Sequence, residues 1–397
     1  MVTETPFKMK PVKETAINVA LISTYPPREC GIATFTRDLL EALQKRGENP
    51  WVVALDHSAH GVYGRDVRFR IRQEVPEDYR TAAKMINASP AQVVSLQHEF
   101  GIFGGHWGEH VLELTKRINR PLVVTLHTVL PNPPLSALRI TQALCRQAAA
   151  VVVMSPSAVE LLEQRYRVSA SSVHLIWHGV PEVEPLPKQE AKLRLGLADR
   201  LVLSTFGLIG PNKGIEDAIE AVAWLCRQYP HVLYLVLGKT HPNLERIYGE
   251  DYLDGLKAKV RALNLHDHVH FENRYLKDEE ILTYLQASDV YLTPYHNPDQ
   301  IVSGTLSWAL ASGCAIVSTP YRYARDMLAP GYGVLVPFRQ PQKLAHALKK
   351  LINRCDLRGR LGQRAYLKSL PMRWPKVAAE YARLFAQVSS QTEVGAA

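Results

Sequence analysis

Short apolar runs alternate with longer amphipathic segments along most of the chain. Ile17–Ser23 is the first such run, and in the segment that follows it Phe35, Leu39 and Leu43 recur at the spacing of one helix face. Nearly continuous apolar runs that alternate with helices favour a parallel sheet covered on both faces. Ten runs are predicted to be strands: Ile17–Ser23, Pro50–Leu55, Gln92–Gln97, Leu122–His127, Ala150–Ser155, Leu201–Phe206, Val232–Gly238, His268–Phe271, Asp289–Pro294 and Cys314–Thr319.

The alternation pauses between residues 178 and 197. Three prolines lie close together there, Pro181, Pro185 and Pro187, and acidic residues separate them. A segment this rich in proline and charge is typical of a linker.

The two series of strands predict an α/β protein with two doubly wound, Rossmann-like domains, residues 1–182 and 184–371. Ligands of such sheets bind outside the carboxyl ends of the strands. We therefore expect a site in the cleft between the two facing domains.

The composition is that of a globular protein, with 46% hydrophobic and 21% charged residues. The first fifteen residues carry charges and lack the apolar core of a signal peptide, and no window is apolar over the length of a membrane span. The five cysteines lie far apart without a C-x-x-C pair, which argues against disulfides or a zinc site. These features predict a cytoplasmic protein.

The net charge of +9 excludes few partners by itself. No Lys/Arg run is longer than two residues and no nucleic-acid-binding motif is recognisable, so the sequence predicts a diffuse positive charge and no nucleic-acid partner. A phosphorylated substrate or a peripheral contact with an anionic membrane fits this pattern better.

Two turns between a strand and a helix are candidates for anion binding. In "TYPPRECGIATFTRDLL" two prolines stop the strand and Gly31 opens a helix, whose free N–H groups can receive a phosphate or can simply be capped. In "FGLIGPNKGIEDAIEAV" Lys213 stands just before the next helix, where a cation and a helix N-terminus reinforce each other.

Polar side chains also follow two strands of the first series. His98 and Glu99 end one strand and His127 ends the next, so they are candidates for hydrogen bonds to a polyhydroxylated ligand or are histidines satisfied within a loop. His106 and His110 have the spacing of a metal pair on a helix, but nearby glycines and the absence of a third ligand in register argue against a metal site.

The segment from Tyr295 to Tyr321 is unusually rich in small polar residues. Ser303, Gly304 and Thr305 stand at a predicted helix start, where hydroxyls can cap the helix or hold an anion.

This series of motifs resembles the retaining GT-B-fold glycosyltransferases of family four. "TYPPRECGIATFTRDLLEAL" is similar to the family's glycine turn and first helix, "IWHGV" to its interdomain motif, "FGLIGPNKG" to its lysine loop and "WALASGCAIVST" to its donor helix and strand. "MRWPKVAAEY" resembles the terminal helix that crosses back onto the first domain, and this implies that residues 372–390 pack there.

The resemblance implies roles for individual residues of this chain. Lys213, together with Gly31 and Ile32, would hold the donor phosphates, and His127 would touch the donor sugar. The remaining candidates are Ser303, Gly304, Thr305 and Trp308 around the donor, Gln300 and Asp299 near the reacting sugar, and His98, Glu99 and His178 as substrate contacts.

The chain departs from the family pattern at three positions. Leu208 replaces the arginine that accompanies the lysine, Gln300 replaces the first glutamate of the donor pair, and Trp308 replaces the second. Gln300 can still bind hydroxyls, and Asp299 could supply a displaced carboxylate, whereas Trp308 has only one polar atom, a donor.

The leading hypothesis is therefore a retaining, metal-independent glycosyltransferase. It would move a hexose, with mannose as one candidate, from a nucleotide sugar to a hydroxyl acceptor, with the nucleotide sugar as co-substrate and no other cofactor. A glycoside phosphorylase on the same fold and a non-catalytic carbohydrate-binding descendant are the alternatives. The sequence leaves the oligomeric state open.

Overall fold

Two parallel sheets, each covered by helices, form the molecule. The computed structural model describes residues 16–57, 62–184, 186–240, 251–328 and 330–394, with side chains up to residue 391, so that Pro185 of the predicted linker lies outside the described residues. The expectation of two Rossmann-like α/β domains is confirmed.

The first domain contains a seven-stranded sheet in the order β3-β2-β1-β4-β5-β6-β7, and all its ladders are parallel. Its elements are β1 (Asn18–Ser23), α1 (Gly31–Arg46), β2 (Asn49–Asp56), β3 (Val67–Arg72), α2 (Pro76–Ala88), β4 (Val93–His98), α3 (Val111–Thr115), β5 (Leu122–Leu126), α4 (Leu135–Gln147), β6 (Ala150–Val153), α5 (Pro156–Tyr166) and β7 (Val173–Leu175).

The second domain contains a six-stranded parallel sheet in the order β10-β9-β8-β11-β12-β13. Its described elements are α6 (Lys188–Arg194), β8 (Leu201–Phe206), α7 (Ile215–Cys226), β9 (Val232–Leu237), α8 (Asp251–Ala262), β10 (Val269–Glu272), α9 (Asp278–Ala287), β11 (Val290–Thr293), α10 (Gly304–Ala311), β12 (Ala315–Ser318), α11 (Arg322–Leu328), β13 (Val334–Leu335), α12 (Pro341–Asn353) and α13 (Cys355–Ser369), and the terminal helix α14 (Trp374–Val394) follows.

Every predicted strand is present, and no bound differs from the prediction by more than two residues. The strands that the sequence pattern missed are β3, β7 and β13, which all lie at sheet edges. An edge strand needs no continuous apolar run, because it has a neighbouring strand on one edge only and its other edge is open to solvent. In β3 arginines alternate with apolar residues, and β13 has only two residues.

The predicted linker is shorter than its proline and charge content indicated. Its second half forms α6, which packs against α9 of the second domain. Lys192 of α6 is buried, and its Nζ lies 2.6 Å from Asp289 Oδ2, so this half belongs to a core. The linker prediction is therefore wrong for the residues of α6.

The chain crosses between the domains twice, and the two crossings hydrogen-bond to each other. The Val180 N–H donates to Met372 O at 2.8 Å, and the Trp374 N–H donates to Val180 O at 3.0 Å. A Cβ added at Gly179 would lie 2.4 Å from the Trp374 ring, so only glycine fits beneath that indole.

Helix α14 packs on the first domain. Its buried residues Val377, Tyr381 and Phe385 share a hydrophobic cluster with Leu39 and Leu43 of α1. The Tyr381 hydroxyl also lies 2.9 Å from Thr125 Oγ1 in β5. Within the part of the chain that the structure describes, no helix is both long enough and apolar enough to cross a bilayer.

Replacing Trp374 by alanine should destabilise the protein strongly. The indole is 8% exposed and packs on Phe35 and Gly179, so its loss opens a cavity where the domains join. We expect the free energy of unfolding to fall by about 3–5 kcal/mol in urea denaturation. Trp224→Ala is the matched control, because Trp224 is 63% exposed, and it should change stability by less than about 0.5 kcal/mol. Equal effects of the two substitutions would show that the crossing does not depend on Trp374.

Candidate functional site

A cavity of about 640 Å³ lies between the two domains, at the carboxyl ends of both sheets. Loops after β1, β4 and β5 form one wall, and loops after β8, β9 and β11 form the other. Eleven of the predicted site residues line this cavity: Gly31, Ile32, Glu99, His127, His178, Lys213, Asp299, Gln300, Gly304, Thr305 and Trp308.

The two other predicted site residues, His98 and Ser303, do not line it. His98 is fully buried, stacks on Phe103 at 5.6 Å and meets the edge of Phe100 at 4.9 Å. Neither of its ring nitrogens has a hydrogen-bond partner among the described residues. Burial lowers its pKa to about 3, so the ring is neutral at pH 7. The residue at the strand end thus points into the core, whereas the next residue, Glu99, faces the cavity.

The start of α1 provides open space at the cavity wall. The Cys30 sulfur accepts the Ala33 N–H at 3.4 Å and caps the helix. A Cβ built on Gly31 would meet no atom within 4 Å. The remaining N–H groups of this turn can therefore approach an anion in the cavity.

Lys213 is held in place by a tight turn. Gly214 has φ 63°, and a Cβ there would lie 1.9 Å from Pro294 O, so the turn requires glycine. The Lys213 ammonium lies 4.2 Å from the centre of the Tyr295 ring. No side chain of the described residues forms an ion pair with Lys213, so its charge is available to a ligand.

The hydroxyls at the start of α10 mostly satisfy one another. Ser303 is the N-cap and accepts the Leu306 N–H at 3.3 Å, which is why its side chain is not at the cavity wall. Thr305 Oγ1 lies 2.8 Å from the Tyr295 hydroxyl and 3.2 Å from Ser303 Oγ. Ser303 therefore caps the helix, and of this trio Gly304 and Thr305 face the cavity.

The side-chain oxygens of Gln300 and Asp299 differ in their bonding partners. Gln300 Nε2 donates to Val302 O at 3.0 Å, and its Oε1 accepts no hydrogen bond from the described residues. Asp299 Oδ1 lies 3.4 Å from Arg322 Nε, so a neighbouring cation already balances its charge. Gln300 is thus the better placed of the two to accept a hydroxyl of a ligand.

Phe35 orients two neutral histidines at the cavity. Its ring centre lies 4.9 Å from that of His127, 5.2 Å from that of His178 and 5.1 Å from that of Trp374, each in an edge-to-face arrangement. Burial lowers the pKa of His127 to about 3 and that of His178 to about 4. Both rings can therefore exchange hydrogen bonds with sugar hydroxyls without carrying charge.

The tautomers of these histidines follow from their partners. His127 Nε2 lies 2.9 Å from Gln97 Oε1, an acceptor, which leaves Nδ1 as the accepting nitrogen. His178 Nδ1 donates to Gly179 O at 2.7 Å, which leaves Nε2 to accept. That Nε2 is 3.0 Å from the position of a Cβ on Gly304, so the start of α10 lies directly against the His178 ring.

Glu99 brings a carboxyl group to the wall of the first domain. The Thr128 hydroxyl donates to one oxygen at 2.5 Å, and the Phe100 N–H donates to the other at 2.9 Å. Burial raises the pKa of Glu99, and these hydrogen bonds oppose the rise.

Sequence reasoning missed Lys239. It directly follows Gly238 at the end of β9, and its Nζ lies 2.9 Å from Glu29 Oε2 of the first domain. The Ile209 N–H donates to Lys239 O at 2.8 Å, so Lys239, two residues past the end of β9, lies beside the loop that carries Leu208. The available signal was a lysine just after a predicted strand, whereas Lys213 was identified by its place just before a helix.

Two further contacts across the cleft were also missed. Arg37 bonds to Asp38 beside it and, at 2.6 Å, to Asp278 of the second domain. Thr34 Oγ1 lies 3.2 Å from the Tyr275 hydroxyl. Burial raises the pKa of Asp38 to about 6, against the opposing effect of Arg37. Such pairs depend on residues far apart in sequence, and no local pattern marks them.

The second-domain wall is apolar over much of its area. Phe206, Leu208, Leu237, Ile281 and Trp308 line it, and the Phe206 and Trp308 rings lie 6.1 Å apart. In the part of the chain that the structure describes, no group of three or more His, Cys, Asp or Glu side chains is arranged to hold a metal ion.

Two protein-family models match the chain. The model of glycosyl transferases group 1 matches residues 188–368, and that of glycosyltransferase family 4 matches residues 30–183. An uncharacterised glycosyltransferase of Methanocaldococcus jannaschii is 26% identical over 246 residues, which is 60% of this chain and 59% of that protein. The chain thus spans less than two thirds of the length of this relative.

Solved glycosyltransferase structures share the fold. Sucrose-phosphate synthase of Thermosynechococcus elongatus superposes with a TM-score of 0.78 at 19% identity, over 95% of this chain and 100% of that one. Anabaena HepE, solved with UDP and glucose, superposes with a TM-score of 0.75 at 16% identity, over 93% of this chain and 99% of that one. At these identities the likeness establishes the architecture and no more.

His98→Phe should make the protein less sensitive to acid. The folded-state pKa of His98 is depressed to about 3, so the unfolded chain, with a histidine pKa of about 6.5, binds the extra proton first. The stability due to neutral His98 is present above about pH 6.5 and is lost as the pH falls towards about 3. Between about pH 7.5 and about pH 5 the native protein should lose about 2 kcal/mol more than the variant in urea unfolding.

His266→Phe is the control for this measurement, because His266 is exposed. It should leave the acid sensitivity unchanged. An unchanged pH dependence in His98→Phe would show that His98 does not titrate as a buried group.

Proposed function

This chain is a group 1 glycosyltransferase with the GT-B fold, and we propose that it moves a hexose from a nucleotide-activated donor to a hydroxyl acceptor. One observation carries the proposal. Lys213 and Lys239 stand after neighbouring strands of the second domain, and they line the same cavity as the open start of α1. Two cations and a helix N-terminus around one cavity suit a diphosphate.

Lys239 would supply the positive charge that the arginine of the family pattern supplies to the donor diphosphate. The resemblance places that arginine at position 208, where this chain has leucine, and Lys239 lies just beyond the end of the adjacent strand β9. Its ion pair with Glu29 is partly exposed, with 33% and 41% of the two side chains accessible. Such a pair is worth at most about 1 kcal/mol, so a phosphate can displace the carboxylate.

The two lysines would stabilise the charge that develops on the leaving phosphate. Fixed cations in a cleft favour a transition state in which negative charge moves onto the leaving oxygen. The cytosol is the proposed location, in keeping with five free cysteines in the described chain.

The sugar would lie between the two walls, near His127, His178 and Gln300. Each of these side chains has an accepting atom without another partner among the described residues, as the tautomers and the amide bond of Gln300 indicate. Neutral acceptors of this kind can position sugar hydroxyls. A mannosyl group and retention of the anomeric configuration remain part of the proposal through the family resemblance, and product analysis by NMR tests both.

Glu99 would bind the acceptor. It lies on the first-domain wall beside Thr128, and its carboxyl is oriented by two hydrogen bonds. A carboxyl with a raised pKa can hold the acceptor hydroxyl and share its proton.

A glycoside phosphorylase is the second candidate. The apolar wall of Leu208 and Trp308 favours it, because this wall offers no carboxylate to a ribose where the family pattern has one. Turnover with a sugar 1-phosphate, with no turnover of any nucleotide sugar, would select this candidate.

Lys213→Ala and Lys239→Ala should each weaken the binding of a nucleoside diphosphate. Each change removes a charged hydrogen bond, which is worth about 1.5–3 kcal/mol, or roughly ten- to a hundredfold in Kd. Glu29→Gln should leave affinity unchanged or raise it, because it removes a carboxylate that competes with the phosphate for the Lys239 ammonium. Isothermal titration with UDP, GDP and ADP measures these effects.

Lys257→Ala is the matched control, because Lys257 lies outside the cavity and its ion pair with Asp254, at 3.7 Å, is at the surface. It should not affect affinity. Unchanged affinity in Lys239→Ala with a loss in Lys213→Ala would remove Lys239 from the site. Unchanged affinity in both would refute the donor site itself.

Turnover should not require a divalent metal ion. The positive charge at the proposed phosphate site comes from Lys213, Lys239 and the start of α1, so the residues themselves can balance the leaving group. We expect the rate with the preferred nucleotide sugar to be the same in EDTA and in added magnesium or manganese. Loss of turnover in EDTA that either metal restores would contradict this expectation.

A further inference from the structure

The positive charge of the chain is concentrated in one segment. Residues 322–376 contain 13 Lys and Arg but two Asp and no Glu, a net charge of +11. The remainder contains 34 Lys and Arg against 36 Asp and Glu, a net charge of −2. The expectation of a diffuse positive charge is therefore wrong. The concentration of charge was overlooked because apolar residues separate the basic ones, so that the segment contains no long Lys/Arg run.

Helix α12 turns its cations towards solvent. Lys343, His346, Lys349 and Lys350 are exposed, whereas Leu344 and Leu348 of the same helix are buried. The three lysine side chains form no ion pair or hydrogen bond with the described residues. Their charge is thus not balanced within this part of the chain.

Helix α13, the next helix in the chain, carries a second group of exposed side chains. Arg360, Arg364 and Leu367 are exposed and lie on one face at spacings of four and three residues. Leu367 is 54% exposed, which is unusual for a leucine within a cluster of cations. We call the exposed side chains of α12 and α13 the basic surface.

The two acidic residues of the segment do not neutralise it. Asp356 pairs with Arg354 at 3.1 Å and with Arg360 at 3.0 Å. Asp326 points to the first domain, where the Ser157 hydroxyl donates to it at 2.7 Å. A large excess of positive charge therefore remains on this segment.

We propose that the basic surface docks the protein onto a lipid bilayer with anionic headgroups. Exposed lysines and arginines attract such a bilayer electrostatically, and Leu367 adds an apolar contact at the headgroup boundary. The flexible stems of Lys343 and Lys350 can lie along the boundary while their ammonium groups meet the headgroups.

Nucleic acid is the less favoured anionic partner. Single strands bind through aromatic rings on which bases stack. The tyrosines next to the basic surface have cations over their rings, Lys368 at 4.5 Å from the Tyr332 centre and Arg373 at 5.5 Å from the Tyr366 centre. An exposed leucine on the cationic face also suits hydrocarbon better than phosphates. This inference does not depend on the proposed transfer reaction.

Vesicle co-sedimentation of the full chain tests the proposal. The native protein should pellet with phosphatidylcholine vesicles that contain phosphatidylglycerol, and not with pure phosphatidylcholine. Added salt should release it, because screening weakens the attraction. Lys343→Glu/Lys350→Glu should lower the partition coefficient by more than about tenfold. Leu367→Gln leaves the protein's charge unchanged, and it should lower the partition coefficient at the same salt concentration because the apolar contact is lost.

Lys84→Glu/Arg139→Glu is the matched control. It makes the same change in net charge at exposed positions of the first domain, and it should lower binding much less. Circular dichroism melting and nucleotide binding show that each variant is folded. The proposal is wrong if anionic vesicles do not retain the native protein, if the control loses as much binding as the α12 variant, or if a DNA duplex binds more tightly than vesicles through the same lysines.

Discussion

The rest of the structure depends on the pair of hydrogen bonds that joins the two interdomain crossings. Val180 exchanges backbone bonds with Met372 and Trp374, so the outgoing and the returning chain meet at one place. Gly179 leaves room for the Trp374 indole, which in turn contacts Phe35 in α1. Phe35 then orients His127 and His178 at the cavity, so one packing arrangement sets both the hinge and part of the site.

The remaining contacts across the cleft are of a different kind. Glu29–Lys239, Thr34–Tyr275 and Arg37–Asp278 are polar and partly exposed, and each contributes little to stability. The crossing is apolar and buried. We therefore expect the polar contacts to open and reform while the crossing acts as the hinge, as in other two-domain proteins whose cleft admits a ligand.

The chemistry of the cavity depends on which of its side chains carry charge and which are kept neutral by burial. Burial keeps His127 and His178 neutral, so they can serve as hydrogen-bonding groups and not as cations. Lys213 and Lys239, which follow β8 and β9 in the chain, bring positive charge to the cavity wall. A phosphate near these lysines and a sugar near the histidines would each meet groups suited to it.

The sequence by itself determined ten of the thirteen described strands and their order along the chain, because buried parallel strands require continuous apolar runs. It also determined most of the cavity wall, since Gly31, Glu99, His127, Lys213 and Gln300 all follow predicted strands, whose carboxyl ends must meet at one edge.

Tertiary structure decided the directions of individual side chains and the contacts between distant residues, which the local sequence pattern does not contain. The direction of a side chain at a strand end is set by packing, so His98 entered the core and Glu99 the cavity. Ser303 became a cap because its own helix offered the free N–H of Leu306. The ion pair of Lys239 with Glu29 joins positions 210 residues apart in sequence. Only folding brings such residues together, because sheet order and helix packing, and not local periodicity, set the distances between them.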